Sequence, residues 1–509
     1  MQADNSLTSS SNGSDRYAFI SVAACLFAPM SMGIGLGFTG PTIDTMRNTV
    51  KDTEGGDGSN AFIDIGTNSN LFVFSSTTIS TLFSGALVLG AFVGSLIGGP
   101  LGEFTGRRIA LLIAAPISVI AYLTIALSSS PALLISSRFV AGLALGLSSF
   151  IAPVYIGEIS PTRYRGMLGA GVQLLLAGGM VYIYAMGLAF RTDAGSIDSR
   201  ARSDTFCDWR MVSYMCIIPS LLLFIGMYFA PPSPRWLATK GRVDEAKMVL
   251  ARLRGLPPSM MTDEIDAIEC VASRRTVESF TIRDTVKVMM DCKKQSFIAI
   301  MVHFLTQLSG LNALAFYLTP IFMEAGLSNA DLMSLTVQLA TMFATIPASY
   351  LIEYLGRRVL LFTGCIIMGI SQFLSALYFY LDRNNEDISS LSWLVLLGVY
   401  GYQISFAWGV GPIRWILAAE LFPCRARGVA ASLAVTANWL SAFAFILALD
   451  PLVEATSLYA TFWGFAAASW ILATFIWFMV PETKGKTFEE IQSHFKRNSS
   501  SISVPVVPD

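Results

Sequence analysis

Charge is scarce in this sequence. Only 14% of its 509 residues are Asp, Glu, Lys or Arg, against 53% that are hydrophobic and a mean hydropathy of +0.58, and so little polar surface cannot cover a water-soluble globule. Histidine is scarcer still, at two residues, and the seven cysteines are scattered. Without clustered Cys, His or carboxylate ligands a metal enzyme is not expected, and no catalytic residue or cofactor is implied. Only Cys207 falls in a loop assigned to the outer side, which leaves no disulfide framework. A formal net charge of −1 without a basic patch interleaved with aromatics argues against nucleic acid. Also missing is any Asp or Glu near the middle of an apolar run, where a carboxylate would relay protons.

What the sequence has is apolar length. Runs of about 18 residues or more, enough for a helix to cross ~30 Å of hydrocarbon, recur near 17–42, 73–98, 109–128, 132–156, 166–190, 211–230, 296–324, 330–353, 358–382, 391–421, 427–449 and 456–480. The first ends in Gly-Phe-Thr-Gly-Pro41 with no small-residue cleavage site, so it is read as a retained helix. Most of the 34 Lys and Arg residues fall in the tails and in the loops after even-numbered spans, which places both termini in the cytosol. The expected protein is all-α and multi-pass, with its spans in the lipid bilayer of the plasma membrane or an organelle.

Residues 231–295 interrupt the apolar pattern with a charged stretch in which Val243, Ala246, Val249, Leu250 and Leu253 keep helical spacing. This divides the chain into a tail (1–16), a six-span half (17–230), an intracellular helical segment (231–295), a second six-span half (296–480) and a tail (481–509). An apolar face on the segment predicts a cytosolic clamp against which both halves close, rather than a free linker.

The halves echo each other. Glu103-Phe-Thr-Gly-Arg107-Arg108 returns as Glu353-Tyr-Leu-Gly-Arg357-Arg358, Glu158 and Arg165 as Glu420 and Arg427, and Pro231-Pro-Ser-Pro-Arg235 as Pro481-Glu482-Thr-Lys-Gly. Such duplication marks an alternating-access transporter. Carboxylates and guanidiniums at the cytosolic helix ends suit a reversible salt-bridge latch, because exposed pairs are worth only roughly 0–1 kcal/mol each.

Gly99-Pro-Leu-Gly-Glu-Phe-Thr-Gly-Arg-Arg resembles the loop signature of the major facilitator superfamily. Pro153-Val-Tyr-Ile-Gly-Glu-Ile-Ser-Pro-Thr-Arg-Tyr-Arg-Gly166, Gln307-Leu-Ser-Gly-Leu-Asn312 and Pro481-Glu-Thr-Lys-Gly-Lys-Thr-Phe-Glu-Glu-Ile491 resemble the sugar porter family within it, from about residue 20 to 492. The resemblance implies twelve transmembrane helices in two pseudo-symmetric six-helix halves, a small-molecule sugar substrate and function as a monomer. Pro232 departs from the pattern, which has Glu there, and should weaken the first latch.

A sugar offers hydroxyls that donate and accept together with apolar C–H faces, which amides and aromatic rings complement. The intramembrane amides Gln173, Gln307, Asn312 and Asn438 are therefore substrate candidates. Gln307 and Asn312 point about 140° apart on a regular helix and meet only if the span unwinds near Gly310. The resemblance adds Trp415 and Trp439 as cavity-lining rings, Phe316 and Tyr317 as an external gate, and a break in span 10 at Gly409-Val-Gly-Pro-Ile413. Thr306, Thr341 and Ala442 stand where the resemblance implies amides. His303 is either packed and neutral or a substrate contact or proton-sensitive gate. Arg414, where relatives carry a small residue or Pro, either snorkels to cytosolic water or carboxylates or meets an anionic or strongly polar substrate. Proton-coupled relatives carry an Asp where Gly35 stands, although Arg138, the basic partner position, is retained. Facilitated uniport of hexoses such as glucose is expected; the alternatives are a carrier of a disaccharide, polyol or sugar acid, with or without proton coupling, and a non-transporting sugar sensor.

Overall fold

The computed structural model describes residues 15–48, 77–190, 209–262, 264–266, 290, 292–327, 329–384, 391–422, 427–484, 486, 490 and 495; the side chains of Glu353 and Arg427 lie outside the description. Among the described residues there is no strand. Spans 1 to 6 run Arg16–Ile43, Thr77–Thr105, Arg107–Ala126, Pro131–Ile159, Arg165–Ala189 and Trp209–Phe229. Span 7 is split into Lys293–Leu308 and Leu311–Glu324, and spans 8 and 9 are Ala330–Leu355 and Arg357–Arg383. Span 10 comprises Trp393–Ser405, Phe406–Val410 and Gly411–Glu420, followed by Arg427–Ala455 and Leu458–Met479 as spans 11 and 12. Eleven of these segments are long and apolar enough to cross a membrane, and the 26-residue eighth packs along span 5 to complete the twelve.

Each half is a bundle of six. Spans 2 and 4 pack closely, because a Cβ on Gly142 would meet the Leu87 carbonyl oxygen at 2.1 Å and Gly90 sits against it; small residues let helix backbones approach where lipid offers no hydrophobic drive. The halves face each other through spans 2 and 11 and through spans 5 and 8. Span 2 extends to Thr105, past the boundary expected near 98, since hydropathy marks where lipid ends and not where helical hydrogen bonding ends. The chain then reverses on one residue, Gly106, and the second half does the same at Gly356; both have φ of 92°. These turns define one end of the bundle, called here the motif end.

Span 10 was expected to break and instead widens. Phe406–Val410 forms a π turn, closed by Gly411 N–H donating to the Phe406 carbonyl, which accommodates Pro412 without interrupting the helix. The amphipathic segment contains the helix Val243–Arg254, which buries Ala246, Leu250, Ala251 and Leu253 and ends at Gly255 in the left-handed region. Its described polar contacts go to the first half or within the segment: Arg254 Nη1 donates to the Ile159 carbonyl at 3.2 Å, and the Arg252 guanidinium lies 4.2 Å from the Tyr17 ring.

Candidate substrate site

Span 7 gives way where its sequence is Leu308-Ser-Gly-Leu. Gly310 has φ of 85°, in the left-handed region open to glycine, and a Cβ there would meet Phe465 at 2.6 Å. The second helix begins immediately after, and this brings together amides that a regular helix would separate. Asn312 Nδ2 donates to Gln307 Oε1 at 2.7 Å, and Gln307 Nε2 donates to Asn438 Oδ1 on span 11 at 2.9 Å. All three residues are buried. The exposed ends of such a chain are an acceptor and a donor, the pair that a sugar hydroxyl complements.

The other polar candidates sit differently. Gln173, in the first half, is half-buried and makes no described hydrogen bond to the amide chain. Thr306 and Thr341 are buried, and their hydroxyls donate to their own helix, to the Val302 carbonyl at 2.6 Å and the Val337 carbonyl at 2.8 Å. Neither hydroxyl replaces the reach of an amide. Gln338, three residues before Thr341 on span 8, is 1% exposed with neither amide atom hydrogen-bonded. Sequence reasoning passed over it, although a Gln inside a span is the signal that selected the others.

The rings gather around the amides. Trp439 and Phe316 are buried in one cluster with Met32, Leu36 and Leu87 of the first half, and Trp415 and Tyr317 pack against it. Tyr317 has non-helical φ and ψ (−121°, 21°), which kinks span 7 beyond the amides. Here, at the end opposite the motif turns, the halves interlock: Tyr184 Oη donates to the Ala315 carbonyl at 3.5 Å, and Thr81 Oγ1 donates to Asp450 Oδ2. No described ion pair crosses between the halves at the motif end.

Among the described residues, two arginines are buried in the bundle with no carboxylate partner. Arg138 is fully buried; its Nη2 donates to the Gly35 carbonyl at 2.8 Å and to Thr39 Oγ1 at 3.0 Å, and its guanidinium lies 5.0 Å from the rings of both Phe38 and Phe83. Arg414, expected either to snorkel to cytosolic water or carboxylates or to meet an anionic or strongly polar substrate, pairs with no described carboxylate. It is 8% exposed, packed 5.6 Å from the Phe406 ring and 5.1 Å from the Trp415 ring, with Nε and Nη1 lacking a hydrogen-bond partner. Buried His303 packs against the same indole, 4.9 Å between ring centroids.

At the motif end the repeated charges divide into two jobs. Arg107 pairs with Glu103 at 2.8 Å and lies 3.2 Å from Glu158, and Arg357 pairs with Glu420 at 3.4 Å. These contacts lie within one half each. Arg108 and Arg358, expected in the same latch, instead cap the last span of their half: Arg108 Nε donates to the Met227 carbonyl at 3.1 Å, and Arg358 Nη2 donates to the Trp477 carbonyl. A cation at a helix C-terminus satisfies carbonyls that no helical N–H reaches. Glu482 is likewise a cap, accepting from the backbone N–H groups of Arg357 and Arg358 at 3.0 Å each at the start of span 9. In the first half Pro232 cannot do this, and a cavity of about 200 Å³ lined by Gly106, Arg107, Pro232, Ser233 and Trp236 lies there instead. Arg165 has a buried Nε without a partner and Arg235 is exposed, and neither forms a described ion pair. Glu353 and Arg427 belong to the expected latch, but their side chains lie outside the described residues.

Two six-helix halves enclosing a buried amide chain at a broken helix define a membrane carrier of small polar molecules. The chain belongs to the family described as "Sugar (and other) transporter", whose model matches residues 23–495. It is 32% identical over 495 residues to "Sugar transporter ERD6-like 6" of Arabidopsis thaliana, covering 94% of this chain and 92% of that one. It is 28% identical to "Facilitated trehalose transporter Tret1" of Apis mellifera ligustica, covering 95% and 90%. It is also 28% identical to "Solute carrier family 2, facilitated glucose transporter member 8" of Mus musculus, covering 94% and 95%. Its fold matches the inward open conformation of the xylose transporter XylE from E. coli with a TM-score of 0.74 at 23% identity, over 94% of this chain and 100% of that one. The protein is thus a multi-pass sugar transporter of the major facilitator superfamily, not an enzyme.

Proposed function

We propose that this transporter is a uniporter for hexoses such as glucose, working by alternating access. The observation that carries the proposal is the hydrogen-bonded chain Asn312–Gln307–Asn438, which joins the broken span 7 to span 11 beside Trp415 and Trp439. A pyranose would exchange its hydroxyls for these amide contacts and lay its C–H face on an indole. Uniport is supported by Gly35: its carbonyl holds Arg138 where a titratable acid would stand in a coupled carrier, so the described spans offer no proton site there. Gln173, Phe316 and Tyr317 complete the proposed path from the first half and the outer end, and the Arg107 and Arg357 pairs, each within its own half, brace the helix ends at the cytosolic side.

Counterflow of labelled glucose in proteoliposomes tests both parts. Hexose exchange unaffected by a proton gradient is expected; uptake that collapses with the gradient would overturn uniport, and sugar binding without counterflow would make the protein a sensor. A disaccharide is the second substrate reading, favoured by Thr306 and Thr341 keeping their hydroxyls on their own helix and so leaving more room beside the amides. Competition by trehalose stronger than by glucose would select it.

A further inference from the structure

Arg414 is the residue that hexose transport leaves without a task. A guanidinium inside a membrane bundle costs several kcal/mol unless it is compensated. Cation–π contacts of roughly 0.5–2 kcal/mol with Phe406 and Trp415 offset part of that but satisfy none of its N–H donors. No described ion pair includes Arg414, and Nε and Nη1 are buried with no partner. The residue as a whole keeps 8% exposure.

His303 supplies the complementary role. Its Nδ1 lies 2.9 Å from the Ala299 carbonyl, which can only accept, so Nδ1 carries the proton and Nε2 of the neutral ring is an acceptor. That Nε2 is buried without a partner, and the residue is fully buried. His303 is one helical turn before Gln307, so on the same face of span 7 it adjoins the amide chain. Trp415 ties the two groups to the candidate site: its indole touches both and packs against the cluster containing Trp439 and Phe316.

We infer that Arg414 and His303 form an anion subsite beside the amide chain, and that the preferred substrate is a sugar acid whose carboxylate meets Arg414 while a neighbouring hydroxyl donates to His303 Nε2. The match is stereochemical as well as electrostatic. A guanidinium fork offers two parallel donors to a carboxylate, and a carboxylate flanked by a hydroxyl presents an acceptor set and a donor side by side. The remaining hydroxyls then fall to Gln307, Asn312 and Asn438. This rests on the alternating-access carrier and amide site of the proposal above, and replaces a neutral hexose by a sugar acid as the substrate that site prefers.

The test is counterflow by the full-length protein in proteoliposomes, with labelled glucose, gluconate and glucuronate compared in chloride and in chloride-free buffer. One of the two acids should compete at least about tenfold better than glucose, a difference that one charge-assisted contact supplies. An inside-positive potassium diffusion potential should accelerate uptake of the acid but not of glucose. In Arg414→Met the acid-to-glucose ratio should fall about tenfold or more, with Arg414→Lys between the two. If Arg414→Met does not fold, ligand-induced thermal shifts of the unmutated protein decide, the acid stabilising it more than glucose at equal concentration. Acids no better than glucose, chloride displacing glucose as well as the acids do, or an unchanged ratio in Arg414→Met would each overturn the inference. Glucose moving without any advantage to the acids removes only the carboxylate subsite, whereas failure of every sugar and acid to move removes the transport proposal itself.

Discussion

Single residues set what the central site can bind. Gln307 is the pivot of the amide chain, with its carbonyl accepting from Asn312 and its nitrogen donating to Asn438. Gln307→Ala strands two buried amides at about 1–3 kcal/mol for each unsatisfied group. It is expected to lower counterflow more than tenfold, about 1.4 kcal/mol, and more than Thr306→Ala, whose hydroxyl serves its own helix. Equal losses from the two would show that the amide chain is not where sugar binds. Gln307, Asn312 and Asn438 were legible because an amide in an apolar span is conspicuous. The unpaired state of Gln338 and the burial of Arg414 between Phe406 and Trp415 were not legible, because partners across helices are a tertiary property.

At the scale of elements, the two halves solve one problem in two ways. Span 9 starts on a carboxylate, Glu482, while span 3 starts beside a cavity at Pro232. Removing the cap with Glu482→Ala should destabilise the second half by roughly 1–2 kcal/mol, the usual range for a lost N-terminal cap, seen as a lower midpoint in thermal unfolding. Pro232→Glu, which gives the first half the carboxylate its repeat carries, should raise the midpoint; no rise would mean that the cavity does not admit the cap. Gly310→Ala tests the break in span 7. The left-handed φ costs an alanine about 1–2 kcal/mol, and the clash with Phe465 adds to it, so both midpoint and counterflow should drop. The repeated Glu and Arg positions were plain in the sequence, but which Arg pairs with an acid and which caps a neighbouring span depends on helix ends distant in sequence, such as Met227 and Trp477.

For the whole molecule, the halves interlock at the end opposite the motif turns and carry no described ion pair between them at the motif end. This is one pose of a two-state carrier, in which the contact from Thr81 to Asp450 favours closure at the interlocked end. Asp450→Ala removes a contact of about 1 kcal/mol and should shift the equilibrium about fivefold toward opening there. Greater labelling of a cysteine placed at Ala442, beneath that closure, would report it, and unchanged labelling would locate the closing energy elsewhere. The amphipathic helix Val243–Arg254 rests on the first half through Tyr17 and Ile159, so a clamping role requires the second half to come to it in the other pose.

The sequence by itself determined the solvent, the span count, the duplication and the identity of the intramembrane polar groups. Each of these follows from local hydropathy and residue type, which need no knowledge of neighbours. Only the tertiary structure decided that a left-handed glycine joins three amides into a chain, that span 10 widens instead of breaking, that Arg108, Arg358 and Glu482 act as caps, and that Arg414 and His303 both pack on one indole. These depend on which helix ends and faces meet, and packing among twelve apolar spans fixes that through contacts between residues far apart in the chain.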